Sequence, residues 1–368
     1  MALDIDGIKH QFGELAIAEP PTKRAAYSDR TAWMMAVLSQ LAYERFEGTG
    51  ENMLKLAAEL ARLGSQEKIA TRLMQLSELL SSPSEPSTDV LMEALAAGGF
   101  ELIGTFDKTA TDTQGFVTVR KNEDEQGIVV LVFRGTQQIK DWKTNLDAAT
   151  TEITGTNDEG NRVLGRMHSG FNAAYLSVRA DVEELLGKVS SELPVYICGH
   201  SLGGALATVA TWYLPGRKLA ACYTFGAPRV GTPALMKYYR TPVYRVVSGM
   251  DPVPNVPPGG QTIAIFKWIV RLLSVFLSGV VTDWMLKKLV ERQGYRHFGD
   301  IRYLTDVAEE GGAYSKLQLL TGVGPIERAY RFGRLVYKGE ASFSVRVDKY
   351  HDMGTYRDKL RAYAISRR

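Results

Sequence analysis

The sequence predicts an α/β fold, a mostly parallel sheet with helices on both faces. Three observations predict it. From residue 100 onward, strand-like and helix-like stretches alternate along the chain. The strands are short, nearly continuous apolar runs such as "GIVVLVFRG" (127–135), the texture of strands buried on both faces. One of them, "VYIC" (195–198), turns through Gly199-His200-Ser201-Leu202-Gly203 into a helix of small residues, the order that makes successive strands parallel. At 368 residues, 45% hydrophobic and 23% charged, the chain has the composition of a globular protein with a large core.

Taken in order, "SDRTAWMMAVLSQLAYERFEG" (28–48) reads as an amphipathic helix. Ser28 or Asp29 caps it, Met34, Val37, Leu38 and Leu41 share a face, and Gly48 stops it. Residues 51–80 carry leucines at helical spacing, broken near Gly64, and "SSPSEPSTD" (81–89) reads as a linker. The expectation is a helical N-terminal extension over 1–98, packed on a main domain over 99–368. That domain starts with strands "FELIGTFD" (100–107), "GFVTVRK" (115–121) and 127–135, the acidic "KNEDEQG" (121–127) forming a solvated turn. A helix over 172–189, the strand 195–198, a helix over 202–213 and strands over 219–225 and 243–248 follow. Chemistry collects at the carboxyl ends of such strands. Ser201, Asp251 and the "RGT" turn (134–136) all stand there.

A net charge of +3, with no basic run interleaved with aromatics, argues against a nucleic-acid partner. Cys198 and Cys222 each sit in an apolar strand-like run and read as buried thiols, not as a disulfide or metal pair. "MALDIDGIKHQFGELA" has no charged-then-apolar signal pattern. The expected location is therefore the cytoplasm, or export without a cleaved signal, with peripheral contact at a membrane.

Gly-x-Ser-x-Gly between a buried strand and a helix is the setting of a nucleophile elbow, as in α/β-hydrolase sheets. A serine hydroxyl needs a base, and in those sheets the order along the chain is Ser, then Asp or Glu, then His. Between Leu202 and Thr282 the single acidic residue is Asp251, in "VVSGMDPVPNVPP" just beyond a buried strand. Of the five histidines, chain order leaves His297 and His351 as bases, and spacing does not choose between them.

Six ordered motifs make the sequence resemble the fungal-type, or class 3, lipase family of the α/β-hydrolase superfamily: "VFRGT" (132–136), "HSGF" (168–171), "GHSLGGA" (199–205), "FGAPRVG" (225–231), "DPVPNVPP" (251–258) and "HFGDIRYL" (297–304). The resemblance covers roughly 100–304 and the segment around 351. It implies that the base is the later histidine, followed by a tyrosine, which "YHDMGTY" (350–356) matches, so His351 is assigned and His297 kept as the alternative. It implies structural roles for His168 and His200, and an oxyanion hole from the amides of Thr136 and Leu202. It also implies a mobile lid over "QQIKDWKTNLD" (137–147), where Ile139, Trp142 and Leu146 recur at helical spacing.

The chain departs from the family in its long helical N-terminal region and in an insertion, "QTIAIFKWIVRLLSVFLSGVVTDWMLKKLVERQ" (261–293). Lys267, Arg271, Ser274, Ser278 and Thr282 form a narrow stripe there. Apolar residues including Trp268 cover the rest, as in an interfacial helix, a cap over an acyl pocket, or a helix buried between neighbours. The function expected is hydrolysis of lipid acyl esters, acylglycerols first, through Ser201, His351 and Asp251, with no metal or organic cofactor. Phospholipase A and soluble-ester esterase are the alternative enzymes, and a non-catalytic lipid-binding protein is the alternative from another class.

Overall fold

In a computed structural model of the chain, the structure describes residues 4–22, 25–44, 88–121, 127–136, 149–157, 160–257, 294–305, 314 and 316–367. The expected lid (137–147, with Ile139, Trp142 and Leu146), the insertion 261–293 with Trp268, and all of 45–87 lie outside the described residues.

The strands are β1 (Glu101–Lys108), β2 (Thr113–Lys121), β3 (Gly127–Phe133), β4 (Thr150–Asn157), β5 (Gly160–His168), β6 (Val195–His200), β7 (Leu219–Phe225), β8 (Val243–Ser248), β9 (Asp300–Leu304) and β10 (Leu319–Leu320). The helices are α1 (Ile5–Ala18), α2 (Asp29–Glu44), α3 (Asp89–Ala97), α4 (Ser169–Gly187), α5 (Leu202–Tyr213), α6 (Pro233–Met236), α7 (Pro325–Tyr337), α8 (Phe343–Tyr350) and α9 (Met353–Ile365). Eight strands form one sheet in the order β1-β2-β3-β6-β7-β8-β9-β10. Its centre, β3 through β9, is parallel, and antiparallel pairs at both edges close it.

The alternation along β3 shows how the sequence builds two cores. Ile128, Val130 and Val132 face one side, where α1, α2, α3 and α9 pack, and Val129, Leu131 and Phe133 face the other, against α4 and α5. Helices therefore cover both faces, as the apolar runs predict. One helical expectation changes. Residues 28–48 predict a one-sided helix, yet every residue from Ala32 to Leu38 is fully buried. The reason is position: α2 lies between the sheet and α9, with α1 and α3 against it, so the stretch from Ala32 to Leu38 meets no water.

Two regions carry elements where the sequence pattern marks none. The hairpin β4–β5 is a separate two-stranded ribbon. After β9, α7, α8 and α9 lead the chain back under the sheet to α2. That return delivers the last part of the site.

Candidate active site

Ser201 is the joint between β6 and α5, with φ 56° and ψ −126°. A non-glycine residue in that region is strained and persists only when its surroundings fix it. Here its amide donates to the carbonyl of Phe225 at 2.9 Å, and its carbonyl accepts from the amide of Gly204 at 3.0 Å. The flanking glycines are demanded by close approach. A Cβ on Gly199 would stand 2.4 Å from the Gly203 carbonyl carbon, and one on Gly203 would stand 2.3 Å from the Phe133 carbonyl oxygen.

Asp251 follows β8 and is 2% exposed. Its Oδ1 accepts from the amide of Val253 at 2.9 Å. Its Oδ2 accepts from His351 Nδ1 at 2.7 Å and from the Tyr356 hydroxyl at 2.5 Å. The Tyr356 hydroxyl oxygen in turn accepts from the amide of Ser248 at 2.9 Å, so one phenol ties the end of β8 to the carboxylate. Burial, and then the Asp251 charge, hold the Tyr356 phenol well above its ordinary pKa, so it stays a donor. The partner of Asp251 is thus His351; the other late imidazole, His297, places Nε2 2.6 Å from the Pro254 carbonyl oxygen.

His351 lies between α8 and α9 and is 2% exposed. Its ring centre is 4.5 Å from that of His200, whose Nδ1 shares a 2.7 Å hydrogen bond with the Tyr43 hydroxyl. Burial, then the neighbouring His351, push His200 well below the ordinary imidazole range, so it is neutral and acts as a wall behind His351. His168, the other early motif histidine, caps α4 by accepting from the Phe171 amide and stacks on the Phe171 ring at 4.1 Å.

The turn after β3 closes the site from the other side. Thr136 and Leu202 are both 8% exposed. A Cβ on Gly135 would sit 3.1 Å from the Ser201 Cβ and 2.2 Å from the Tyr43 hydroxyl, so the chain leading into Thr136 runs directly against the serine. Ser201 Oγ and His351 Nε2 at this junction, with Nε2 of the neighbouring His200, are among the buried side-chain atoms of the described residues that have no hydrogen-bond partner. Buried polar atoms are nearly always paired, because leaving one unpaired costs about 1–3 kcal/mol. A catalytic role is one of the reasons for such an exception.

Of the residues gathered here, the sequence itself names Ser201 and Asp251, the resemblance implies His351 and the tyrosine that follows it, and neither names Tyr43 or Gly226. Tyr43 lies 157 positions before its partner, in a helix that reads as ordinary packing. Gly226 has φ +59°, and a Cβ there would lie 2.7 Å from Asp251 Oδ2 and 2.9 Å from His351 Cε1. Its signal was present in "FGAPRVG", where a glycine directly follows a strand.

A parallel-centred sheet, a strained serine at a strand-to-helix turn, and an Asp–His pair drawn from later in the chain define the α/β-hydrolase architecture. Residues 130–260 match the family model described as Lipase (class 3), a span that includes Thr136, Ser201 and Asp251 and stops before His351. Lipase from Rhizopus niveus is 33% identical over 171 residues, 43% of this chain and 41% of its own length. Secreted mono- and diacylglycerol lipase A from Penicillium cyclopium is 34% identical over 158 residues, 41% of this chain and 49% of its own. Phospholipase A(1) DAD1, chloroplastic, from Arabidopsis thaliana is 33% identical over 168 residues, 39% of this chain and 38% of its own. The chain thus spans less than half the length of each of these curated relatives.

Proposed function

We propose that the protein hydrolyses carboxylic esters of lipids, acylglycerols foremost, through an acyl-enzyme on Ser201. Ser201 Oγ attacks the acyl carbonyl carbon while His351 Nε2 takes its proton. Asp251 keeps Nδ1 protonated and stabilises the imidazolium. The amides of Leu202 and Thr136 receive the negative charge on the carbonyl oxygen, aided by the N-terminus of α5. Collapse expels the alcohol, which takes the proton from His351. Water then enters through the same base, and the fatty acid leaves. Residues 99–368 form the catalytic unit in this reading, with 1–98 packed on it.

The observation that carries the proposal is the pair of unpartnered buried atoms, Ser201 Oγ and His351 Nε2, with Asp251 on the opposite nitrogen of the same ring. Phospholipids are a second substrate reading, favoured by the likeness to a protein named a phospholipase A(1). The test is a panel of p-nitrophenyl esters of rising chain length, below and above micelle formation, together with a diacylglycerol and a phosphatidylcholine. Ser201→Ala is expected to lower kcat by roughly a factor of a million, the loss seen when a triad serine is removed. His351→Ala is expected to match it and His297→Ala to stay near wild type. Retention of more than a few per cent of activity by Ser201→Ala refutes the mechanism.

A further inference from the structure

Helix α7 is turned the wrong way for a surface helix in water. Its innermost described residues are Leu335, 2% exposed, and Arg331, 9% exposed. Arg331 pairs with Glu327 at 2.8 Å and lies over the Tyr303 ring at 5.4 Å. Its outward residues are large and apolar: Tyr337 is 94% exposed, Tyr330 63%, Val336 57% and Phe332 47%. At about 100° per residue, Phe332, Val336, Gly333, Tyr337 and Tyr330 fill the arc directly opposite Arg331 and Leu335. Arg334 and Lys338, both exposed, border that arc between the aromatic face and the buried stripe.

The helix is also tied to the site. Leu335 packs with Met250 and Tyr350, the residues just before Asp251 and His351. Arg346 on α8 donates from Nε to the Met250 carbonyl at 2.9 Å. The exposed face therefore rides on the same scaffold as the carboxylate and the imidazole. An exposed apolar patch rimmed by cations marks a surface for an apolar, negatively bordered partner. A helix of 13 residues is about 20 Å long, too short to cross a hydrocarbon core of about 30 Å, so it lies in the plane of such a partner. Among the described residues, no helix is long and apolar enough to cross a membrane.

We propose that the outward face of α7 (Tyr330, Phe332, Val336 and Tyr337, with Arg334 and Lys338 at its rim) is the docking surface for an anionic lipid interface. The aromatic and valine side chains enter the headgroup boundary and the two cations meet lipid phosphates, which sets the Asp251–His351 end of the molecule toward the lipid. This deepens the lipid-ester reading and rests on it for its purpose, but the surface is testable by itself.

The test uses the full chain, its Ser201→Ala form, and two sets of exposed substitutions: Phe332→Ser/Val336→Ser/Tyr337→Ser and Arg334→Gln/Lys338→Gln. Binding to vesicles of phosphatidylcholine, with and without phosphatidylglycerol, is measured by co-sedimentation, and hydrolysis of monomeric p-nitrophenyl butyrate is measured alongside. The apolar set is expected to bind both vesicle types at least about tenfold more weakly. The cation set is expected to lose roughly 25-fold on the anionic vesicles alone, about fivefold for each cation near such a surface, and raised salt should reproduce that loss. Both sets should keep the monomeric rate within about twofold, since α7 touches no reacting atom. Wild-type binding by either set, or no vesicle binding by the unaltered chain, overturns the proposal. So does a dimer in gel filtration that these substitutions dissociate while vesicle binding is absent, because a second copy then covers the face. An unaltered chain that binds vesicles but hydrolyses no ester overturns the ester reading and leaves the docking surface standing.

Discussion

Replacing Tyr356 by Phe removes one oxygen atom and two hydrogen bonds from a fully buried position. The ring still fills its place between Phe225 and His200, so packing is largely kept. The hydroxyl's 2.5 Å bond to Asp251 Oδ2 is lost, and the Ser248 amide, 2.9 Å from the same oxygen, loses its acceptor. A bond to a charged acceptor contributes about 1.5–3 kcal/mol and an orphaned buried N–H costs about 1–3, so the variant should be less stable by about 3–5 kcal/mol. That is a large part of the roughly 5–15 kcal/mol that holds a domain folded. Urea unfolding of both proteins at pH 7 reads the difference directly. Activity should suffer less. Asp251 keeps its bonds to His351 and the Val253 amide, so kcat on a soluble ester should fall about tenfold, against about 10⁴-fold when the acid itself is replaced by Asn. A variant within about 1 kcal/mol of wild type and fully active would show that the phenol is packing, and the account of how Asp251 is held would be wrong.

Other outcomes follow from single positions. Gly226→Ala places a methyl 2.7 Å from the Asp251 carboxylate at φ +59°; displacement of the pair by about 1 Å should lower kcat/KM about 100-fold, and a value within threefold of wild type contradicts the crowding. His200 is held neutral by burial and His351, so below pH 6.5 the unfolded chain binds a proton that the folded one does not. Stability should fall as pH drops below that point, by at most about 1.4 kcal/mol per pH unit from this group, and His200→Gln should flatten the slope in unfolding curves from pH 7 downward. Burial pushes the Cys198 and Cys222 thiols up to about 12. Neither should react with a disulfide reagent at pH 8 until the protein is unfolded, and prompt labelling of the native protein would contradict their placement.

The central sheet was legible because its strands are buried on both faces and so written in unbroken apolar runs. The strands over 219–225 and 243–248 and the helix over 202–213 coincide with β7, β8 and α5 residue for residue. Where an element faces solvent, or is surrounded by protein, the code weakens. The β4–β5 ribbon, with "TTEITGTN" on its first strand, has too little apolar alternation to declare itself. Conversely α2 shows an apolar stripe although its middle is buried on every side, because alanine, serine and threonine suffice where another helix lies close. At the site, the glycine turn and the lone acid were local signals. The choice between His297 and His351 was not, since it depends on where α8 and α9 bring the chain back, and only the resemblance addressed it. Tyr43 had no local signal at all.

The seat of α9 ties folding to chemistry. Arg361 grips Glu14 of α1 through two bonds of 2.5 and 2.6 Å, and Gln11 reaches Asp358 at 3.0 Å, so α9 is bolted to α1. His351 stands at the threshold of that helix and Tyr356 lies within it, while Ser201 and Asp251 stand just past the ends of β6 and β8. The imidazole therefore stands beside the carboxylate only where α9 is seated against α2. In the proposed ester reading, prising α9 from α1 and α2 would part His351 and Tyr356 from Asp251 while most of the strands remained paired.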